Sequence, residues 1–241
     1  MNKLILCEGK TDAILLSYYL GRISGWTYVR KCPGGLALRQ NNDNESINWY
    51  RKGSDYLIIW GVGGKDNFIR FFNERIKTPQ SATNAFEKIA IITDRDDRET
   101  SDICDSLSEG TGGFITDIKD RAWCENSYQD AFGREKSFEL LLVIIPKEHS
   151  GDVENVMLSA ISEDPYDKSI VDKTEAFVRR MRTDADKYIS TDRLQLKAQL
   201  GVTWAVQFPE KVFSTIDEQI NSVCWEKYDT LKECFGILND I

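Results

Sequence analysis

Two aspartates separated by one residue, Asp94 and Asp96, follow a short apolar segment of the chain. The segment Ile89–Ile92 is rich in β-branched side chains and too short for a buried helix, so it predicts a central strand buried on both faces. Because side chains alternate along extended backbone, both carboxylates would project to one side at the carboxyl end of this strand. Oxygen ligands placed in this way suit Mg²⁺ or Mn²⁺. The alternative is that the acids only solvate a turn and cap the next helix.

A third carboxylate follows another apolar segment, at the start of the chain. Residues Leu4–Cys7 predict a strand that ends at Glu8, and the turn after it leads to a helix that Thr11 or Asp12 is expected to cap. Ligands of open α/β sheets collect outside the carboxyl ends of the strands. If the two strands are neighbours in the sheet, Glu8 meets the aspartate pair there.

The order of these motifs resembles the Toprim domain, the catalytic fold of topoisomerases, bacterial primases, small RNA-maturing nucleases and the overcoming-lysogenization-defect (OLD) nucleases. The resemblance rests on a first strand that ends in Glu-Gly-Lys-Thr-Asp, residues 8–12, and a later strand that ends in Asp-x-Asp. It covers residues 4 to about 108, continues more weakly to about 160, and is nearest to stand-alone Toprim-like proteins related to OLD nucleases. Since Met1 lies three residues before the strand, no upstream domain is expected.

The resemblance implies metal-dependent phosphodiester transfer. Glu8 would act as a metal ligand or as a general acid or base, while Asp94 and Asp96 would hold a Mg²⁺ or Mn²⁺ ion that neutralises charge developing on the phosphate. Topoisomerase activity is not expected, because the sequence shows no strand-gate module and no obvious context for a nucleophilic tyrosine. Primase activity is not expected either, because no zinc-binding module is visible.

A glycine-rich turn follows a further apolar segment. Residues Asp55–Trp60 predict a buried strand, and a turn with three glycines leads into a helix from Phe68 to about Lys77. Such a turn can cradle an anion with its backbone N–H groups, although the spacing is neither Walker A nor the dinucleotide motif, or the glycines only permit tight turning. A similar turn in OLD-like Toprim proteins makes Lys65 a candidate catalytic residue. The candidate phosphate-binding set is Lys10, Gly63, Gly64 and Lys65.

Two acids lie at the start of a helix predicted after Gly151. Related Toprim-like nucleases place an acid after a late strand near the metal site, so the resemblance makes Glu154 a candidate metal ligand, with Asp152 second to it. Acids at a helix N-terminus also complement the helix dipole, by roughly a few tenths of a kcal/mol, and in that role Glu154 would face solvent. Glu154 reaches the Asp-x-Asp edge only if the preceding strand, Phe138–Ile145, runs parallel to its neighbours.

The composition limits the classes of function. Of the 241 residues 41% are hydrophobic, which is enough for a proper core. The single histidine, His149, excludes a two-histidine metal site and makes a serine or cysteine triad improbable, so catalysis would use carboxylates and lysines. A formal net charge of −8 argues against a broad basic surface. We therefore expect weak intrinsic affinity for nucleic acid, or a partner protein, such as an ATPase, that supplies the affinity.

The cysteines and the apolar runs bear on location. The six cysteines lie far apart without a Cys-x-x-Cys motif, so reduced thiols in the cytoplasm are expected. The longest uninterrupted apolar run, Leu140–Ile145, is too short to span a membrane, and the first residues contain no signal-peptide core. We expect a cytoplasmic protein that does not associate with membranes.

The order of the predicted elements indicates the α/β class. We expect a Toprim-like, largely parallel central sheet flanked by helices in residues 1–160, with a helical extension, residues 161–241, packed on it. The remaining expectations are helices at Ala13–Ser24, Arg98–Leu107, Asp172–Lys187 and Asp192–Leu200, a strand at Trp26–Lys31, a loop-rich segment at Leu36–Gly53, a loop at Thr78–Asn84 and an apolar stripe along Val212–Leu238. Residues 114–137 show no clear periodicity.

The leading hypothesis is a Toprim-type nuclease that depends on Mg²⁺ or Mn²⁺. Asp-x-Asp after a strand also describes haloacid-dehalogenase-type phosphatases and many sugar-nucleotide transferases, but neither explains the strand that ends in Glu8. A third hypothesis is a non-catalytic Toprim-like module that binds a nucleotide or a protein. The acidity of the chain favours this module, whereas the intact carboxylates count against it.

Overall fold

The computed structural model describes residues 1–32, 38–40, 43–78, 80 and 85–241. The chain divides into two compact units, one formed by Met1–Ile144 with Ile237–Ile241 and the other by Ile145–Gly236. The predicted α/β class is confirmed, because the first unit contains a mixed seven-stranded sheet with helices and the second is helical. Within the described residues, no helix is both long enough and apolar enough to cross a membrane.

The sheet has three parallel strands at its centre. Its order is β2-β3-β4-β1-β5-β7-β6. The strands are β1 Asn2–Cys7, β2 Thr27–Val29, β3 Ser46–Lys52, β4 Asp55–Gly61, β5 Lys88–Asp94, β6 Trp123–Gln129 and β7 Glu135–Ile145. β1 pairs parallel with both β4 and β5, whereas β2–β3, β3–β4 and β6–β7 pair antiparallel. The carboxyl ends of β4, β1 and β5 therefore lie side by side at one edge.

The helices differ between the two units. The first unit has α1 Lys10–Ile23, a 3₁₀ turn Lys65–Asn67, α2 Phe68–Phe71 with its π-helical continuation Phe72–Lys77, and α3 Thr100–Gly110. The second unit has α4 Val153–Ile161, α5 Pro165–Met181, α6 Asp192–Gln207, α7 Ile216–Asn221 and α8 Asp229–Phe235, with 3₁₀ turns at Pro209–Lys211 and Trp225–Lys227. A last 3₁₀ helix, Gly236–Asp240, ends the chain.

The central strands are buried on both faces, as their continuous apolar runs predict. All four residues of Leu4–Cys7 are fully buried, and so are those of Leu57–Trp60 and Ile89–Ile91. Alternate side chains of these strands join one cluster with Phe72 and Phe86. Because both faces are covered, the carboxyl edge is where β1, β4 and β5 give way to polar residues.

A polar residue at an inward position explains why sequence periodicity missed β6. β6 lies within residues 114–137, where the sequence shows no clear periodicity. The reason is that Asn126, a polar residue, occupies an inward position between Cys124 and Tyr128. Asn126 is 1% exposed, and its side-chain oxygen accepts hydrogen bonds from the N–H groups of Thr116 and Asp117. A buried amide satisfied in this way costs little, but it disrupts the apolar alternation that identifies a strand.

Two further predictions change, and a third falls largely outside the described residues. The expectation of a loop-rich segment at Leu36–Gly53 is wrong for Ser46–Lys52, which form β3, while residues 36, 37, 41 and 42 lie outside the described residues. Of the loop expected at Thr78–Asn84, residues 79 and 81–84 also lie outside them. The apolar stripe of Val212–Leu238 is divided among short helices, and its member Phe213 is fully exposed although Ile220, Leu231 and Phe235 are buried.

The helix expected to begin near Asp172 begins at Pro165. The carboxylate of Asp164 accepts the N–H groups of Tyr166 and Asp167, and proline at the first helical position needs no N–H partner. The helix ends at Met181 rather than at Lys187. The cap and the proline, rather than the apolar periodicity, determine where this helix starts.

Gly61, the last residue of β4, lies very close to the backbone of Gly9, which follows β1. A Cβ atom at Gly61 would lie 2.5 Å from the Gly9 carbonyl oxygen and 2.8 Å from the Gly9 carbonyl carbon. Backbone cannot move aside easily, so Gly61→Ala should lower the free energy of unfolding by about 1–3 kcal/mol, measured by urea denaturation. The control is Gly21→Ala in α1, where the added atom makes an ordinary 3.6 Å contact and should stabilise the helix by up to about 1 kcal/mol. Equal effects of the two substitutions would contradict the close approach at Gly61.

Candidate functional site

The pairing of the central strands brings the predicted acidic motifs together. Cys7 lies in register with Gly61 on one side and with Ile92 on the other. Beyond the strand, the Gly64 N–H donates to the Glu8 carbonyl oxygen at 2.8 Å. The segments that follow β1, β4 and β5 are therefore adjacent, as the sequence predicted for Glu8 and the aspartates.

The Glu8 side chain is buried and held by the end of β5. It is 1% exposed, and its Oε1 accepts a hydrogen bond from the Thr93 hydroxyl at 2.7 Å and another from the Asp94 N–H at 3.0 Å. Hydrogen bonds to a carboxylate are stronger than those between neutral groups. The two donors fix the direction of the Glu8 carboxylate toward the residues that follow β5.

Asp96 forms an ion pair with Lys65 across the same edge. Hydrogen bonding to Asp96 is the main cause that raises the pKa of Lys65, with smaller contributions from the Asp96 and Glu8 charges, so this lysine is a cation throughout the physiological range. The two side chains are 43% and 26% exposed, so the pair contributes little to stability. Its importance is positional, because it places a positive charge among the acids.

Asp96 does not continue the strand, contrary to the alternation argument. β5 ends at Asp94, and Asp96 has a φ of 48°, in the left-handed region that aspartate tolerates better than most residues. Asp94 is 3% exposed, whereas Asp96 lies at a turn and reaches Lys65. The two carboxylates thus differ in burial and in backbone setting.

A further acid, Asp12, completes the carboxylate group at this edge. The N-cap of α1 is Gly9 and not Thr11 or Asp12, but Asp12 takes part in the cap, because its carboxylate accepts the Gly9 N–H at 3.1 Å. Burial is the main cause that raises the pKa of the Cys7 thiol, and the charges of Asp12, Glu8 and Asp94 raise it further. Cys7 is therefore a neutral packing residue in a negative environment.

The glycine turn packs against the chain that follows β1. Gly63 and Gly64 have φ values of 83° and 120°, which only glycine adopts readily. Because the Gly64 N–H already bonds to Glu8, it is not available to an anion in this arrangement, which differs from the predicted cradle. Lys10, the other predicted phosphate contact, is exposed at the first position of α1.

The oxygen donors at this edge have the chemistry that Mg²⁺ prefers, but they are already engaged. Glu8 Oε1 accepts the two hydrogen bonds described above, and Asp96 is paired with Lys65. Within the described residues, no three Asp, Glu, His or Cys side chains are grouped so that they could hold a metal ion. A cation at Asp96 would have to compete with the Lys65 ammonium group.

Arg98 and Thr93 are polar site residues that the sequence analysis did not identify. Both line a cleft beside Lys65, which α2, β5 and α3 enclose. Arg98 follows the aspartate pair in the sequence Asp-Arg-Asp-Asp-Arg, but no spacing rule distinguishes it from Arg95. In the sequence, Thr93 is indistinguishable from an ordinary β-branched strand residue. Its contact with Glu8 becomes visible only through the pairing of β1 with β5.

Asp152 and Glu154 lie in the second unit. Asp152 is the N-cap of α4, where its Oδ1 accepts the Asn155 N–H at 3.2 Å, so the helix-capping interpretation holds for this residue. Glu154 is 2% exposed and pairs with Lys197 of α6. The expectation that Glu154 faces solvent as a helix N-terminal acid is therefore wrong, because its charge is buried and compensated by a lysine.

The first unit is thus an α/β unit whose central parallel strands end in a carboxylate-rich edge with one lysine paired to it. Residues 2–231 match the family described as "Protein of unknown function (DUF3226)", and the chain belongs to this family. It is similar to the protein in the crystal structure of hypothetical protein PH0156 from Pyrococcus horikoshii OT3, at 14% identity and a TM-score of 0.49 over 98% of this chain and 99% of that chain. No curated protein matches the sequence.

The hydrogen bond from Thr93 to Glu8 is tested by removing the hydroxyl group. Thr93→Val keeps the shape of the side chain but removes a donor from a buried carboxylate, so the free energy of unfolding should fall by about 1–3 kcal/mol in urea denaturation. Thr93→Ser restores the donor and should recover most of this loss. Equal stability of the valine and serine variants would contradict a structural role of the bond.

The buried Asp152 carboxylate predicts a pH dependence of stability. Burial, with the Glu154 charge second, raises its pKa from 3.8 to about 6, although the Asn155 N–H, Arg193 and Lys197 oppose this shift. Between these two pKa values the folded state binds more protons than the unfolded state, so this group's contribution to stability is present below pH 3.8 and is lost as the pH rises through 6. Asp152→Asn keeps a side chain that can cap the helix but cannot ionise. The fall in the free energy of unfolding as the pH rises from 3.8 through 6 should therefore be smaller in this variant by roughly 2 kcal/mol.

The measurement for Asp152 is the free energy of unfolding at several pH values from 4 to 7. Asp164→Asn is the matched control, because Asp164 also caps a helix, α5, but from an exposed position, so this variant should not reproduce the effect of Asp152→Asn. The same slope in the Asp152→Asn variant and in the natural protein would show that Asp152 titrates normally.

Proposed function

We propose that this protein is a phosphodiester-cleaving enzyme that acts on nucleic acid, with Mg²⁺ or Mn²⁺ as its cofactor. The observation that carries the proposal is that the Glu8 carboxylate bonds to the Asp94 N–H at the carboxyl edge of the parallel strands, where Lys65 also pairs with Asp96. Ligands of open α/β sheets bind at such an edge. The assignment to a Toprim-type nuclease of the OLD kind is supported by the resemblance of the two acidic motifs.

The side chains have distinct roles in this proposal. Glu8, which Thr93 and the Asp94 N–H orient, would handle a proton or share a metal ion with Asp94 and Asp96. A divalent ion bound to these carboxylates would supply a positive charge next to the phosphate. Lys65 supplies a second positive charge, and an anionic substrate would attract its ammonium group away from Asp96.

Glu154 as a ligand of a second metal ion stays a prediction from the resemblance. Its carboxylate is paired with Lys197, so binding a metal would require this lysine to be displaced. The proposed site therefore consists of the residues of the first unit.

The electrostatics of the chain bear on its partners. A net charge of −8 supports weak intrinsic affinity for nucleic acid, or a partner protein, such as an ATPase, that supplies the affinity. All six cysteines are free, which supports work in the reducing cytoplasm. We thus propose a cytoplasmic enzyme that binds its substrate weakly by itself or with the help of a partner protein.

A second candidate function is a non-catalytic module that binds a nucleotide or a protein. The Lys65–Asp96 ion pair favours it, because a lysine that neutralises one of the acids leaves a weaker site for a divalent ion. Such a module would bind its ligand without cleaving it. Calorimetric titration with Mg²⁺ and Mn²⁺ distinguishes the two functions, since only the enzyme requires metal binding.

Asp94→Asn tests the catalytic proposal. The substitution should abolish metal-dependent cleavage of single- and double-stranded DNA and RNA. It should leave the metal-free melting temperature unchanged or slightly higher, because clustered carboxylates repel one another when no cation is bound. Gel assays of cleavage and thermal denaturation in EDTA measure these two effects.

The control for Asp94→Asn is Asp97→Asn, which removes the same charge from an exposed position close by. This variant should cleave nucleic acid as the natural protein does. A marked fall in the metal-free melting temperature of the Asp94 variant would show that Asp94 is a structural residue. A natural protein that binds a nucleotide but neither metal ion would favour the non-catalytic module.

A further inference from the structure

A cleft next to the acidic edge has a cationic lining. Its polar wall consists of Lys65, Thr93, Arg98 and Ser106, and its floor includes Ile91 and Ile103. The cleft shares Lys65 and Thr93 with the edge, because the first pairs with Asp96 and the second holds Glu8. A group bound in this cleft therefore lies beside the proposed reaction site and not in it.

Arg98 is the cation of this cleft that carries an uncompensated charge. Its guanidinium donates to the Asp102 carbonyl oxygen at 3.1 Å, and within the described part of the chain no carboxylate forms an ion pair with it. Most of its N–H donors are thus open to a ligand, in the fork geometry that matches phosphate oxygens. Lys65, in contrast, already shares its charge with Asp96.

The walls of the cleft limit the size of its ligand. The cleft has a volume of about 50 Å³, which leaves little space for a base, although apolar residues such as Phe68, Ile91 and Leu107 also line it. At the end of α3, a Cβ atom at Gly110 would lie 2.7 Å from the Ile69 side chain, which shows how closely α3 approaches α2. A small tetrahedral anion fits such a narrow, cationic space better than an aromatic ring.

We propose that this cleft binds a second phosphate of the nucleic-acid strand, next to the phosphate that is cleaved, with Arg98 as its anchor. The inference rests on the proposed function, which places the cleaved phosphate at the neighbouring carboxylate edge. It gives an acidic protein a specific contact to its substrate, because one unpaired arginine at a defined position replaces a broad basic surface. Arg98 is a substrate-binding residue in this proposal.

A thermodynamic cycle tests Arg98 without metal and without catalysis. The ligands are two thymidine dinucleotides, pTpT and TpT, which differ only in the terminal 5′ phosphate. Binding is measured by calorimetry in EDTA at low salt. The natural protein should bind pTpT about tenfold more tightly than TpT, because a hydrogen bond to a charged group is worth about that factor.

The substitution Arg98→Gln should abolish the preference for pTpT, and Arg98→Lys should keep part of it. The matched control is Arg51→Gln. Arg51 lies in β3 and pairs with Tyr56 near the start of β4, at the other edge of the sheet, so this variant should keep the full preference. Thermal denaturation checks that the variants are folded. An unchanged preference in Arg98→Gln overturns the inference.

Two further outcomes separate this inference from the proposed function. If Arg98→Gln loses binding of inorganic phosphate but keeps the preference for pTpT, the cleft is a site for a free anion and the inference is overturned. If the natural protein cleaves no nucleic acid with Mg²⁺ or Mn²⁺ while the preference depends on Arg98, the proposed function fails and the phosphate site stands. If the natural protein cleaves nucleic acid but its preference for pTpT does not depend on Arg98, the proposed function stands and the phosphate site fails.

Discussion

The parallel pairing of β1 with both β4 and β5 determines where polar chemistry lies in the first unit. The middle of each of these strands is apolar and buried, so their polar groups can appear only near the two ends of each strand. Parallel direction puts the three ends at one edge, and the register of Cys7 with Gly61 and Ile92 places them side by side. A shift of β5 by one residue would separate the Glu8 side chain from the two donors that hold it.

Charge balance at this edge depends on few positive groups. Glu8, Asp94 and Asp12 are buried acids, and burial of a charge is costly unless hydrogen bonds or opposite charges compensate it. The Gly9 N–H bonds to Asp12, and the Asp94 N–H and the Thr93 hydroxyl bond to Glu8, while the Lys65 ammonium pairs with the more exposed Asp96. An edge of this kind attracts cations and repels an unshielded phosphate, so the substrate of the proposed enzyme would need either a metal ion or a specific cationic contact.

The sequence contains enough information to predict the centre of the sheet and the location of its acids. Runs such as Ile89–Ile92 admit only a buried strand, and an acid that follows such a run must lie at the end of that strand. The direction of an individual side chain is not predictable in this way, since Asp96 leaves the extended conformation. Glu154 illustrates a second limit, because its partner Lys197 is supplied by a helix distant in sequence.

The close packing of α3 on α2 affects the size of the cleft between them, and so the ligands that the cleft can accept. Gly110 lies at the far end of α3 and carries no charge, yet the absence of its side chain leaves Ile69 in place as part of the wall. Adding one methyl group at this position would push Ile69 and narrow the space without altering any charge. In the proposed phosphate site, a substitution at this helix-packing residue would therefore change the size of the anion that fits, while the acids and cations at the edge stay the same.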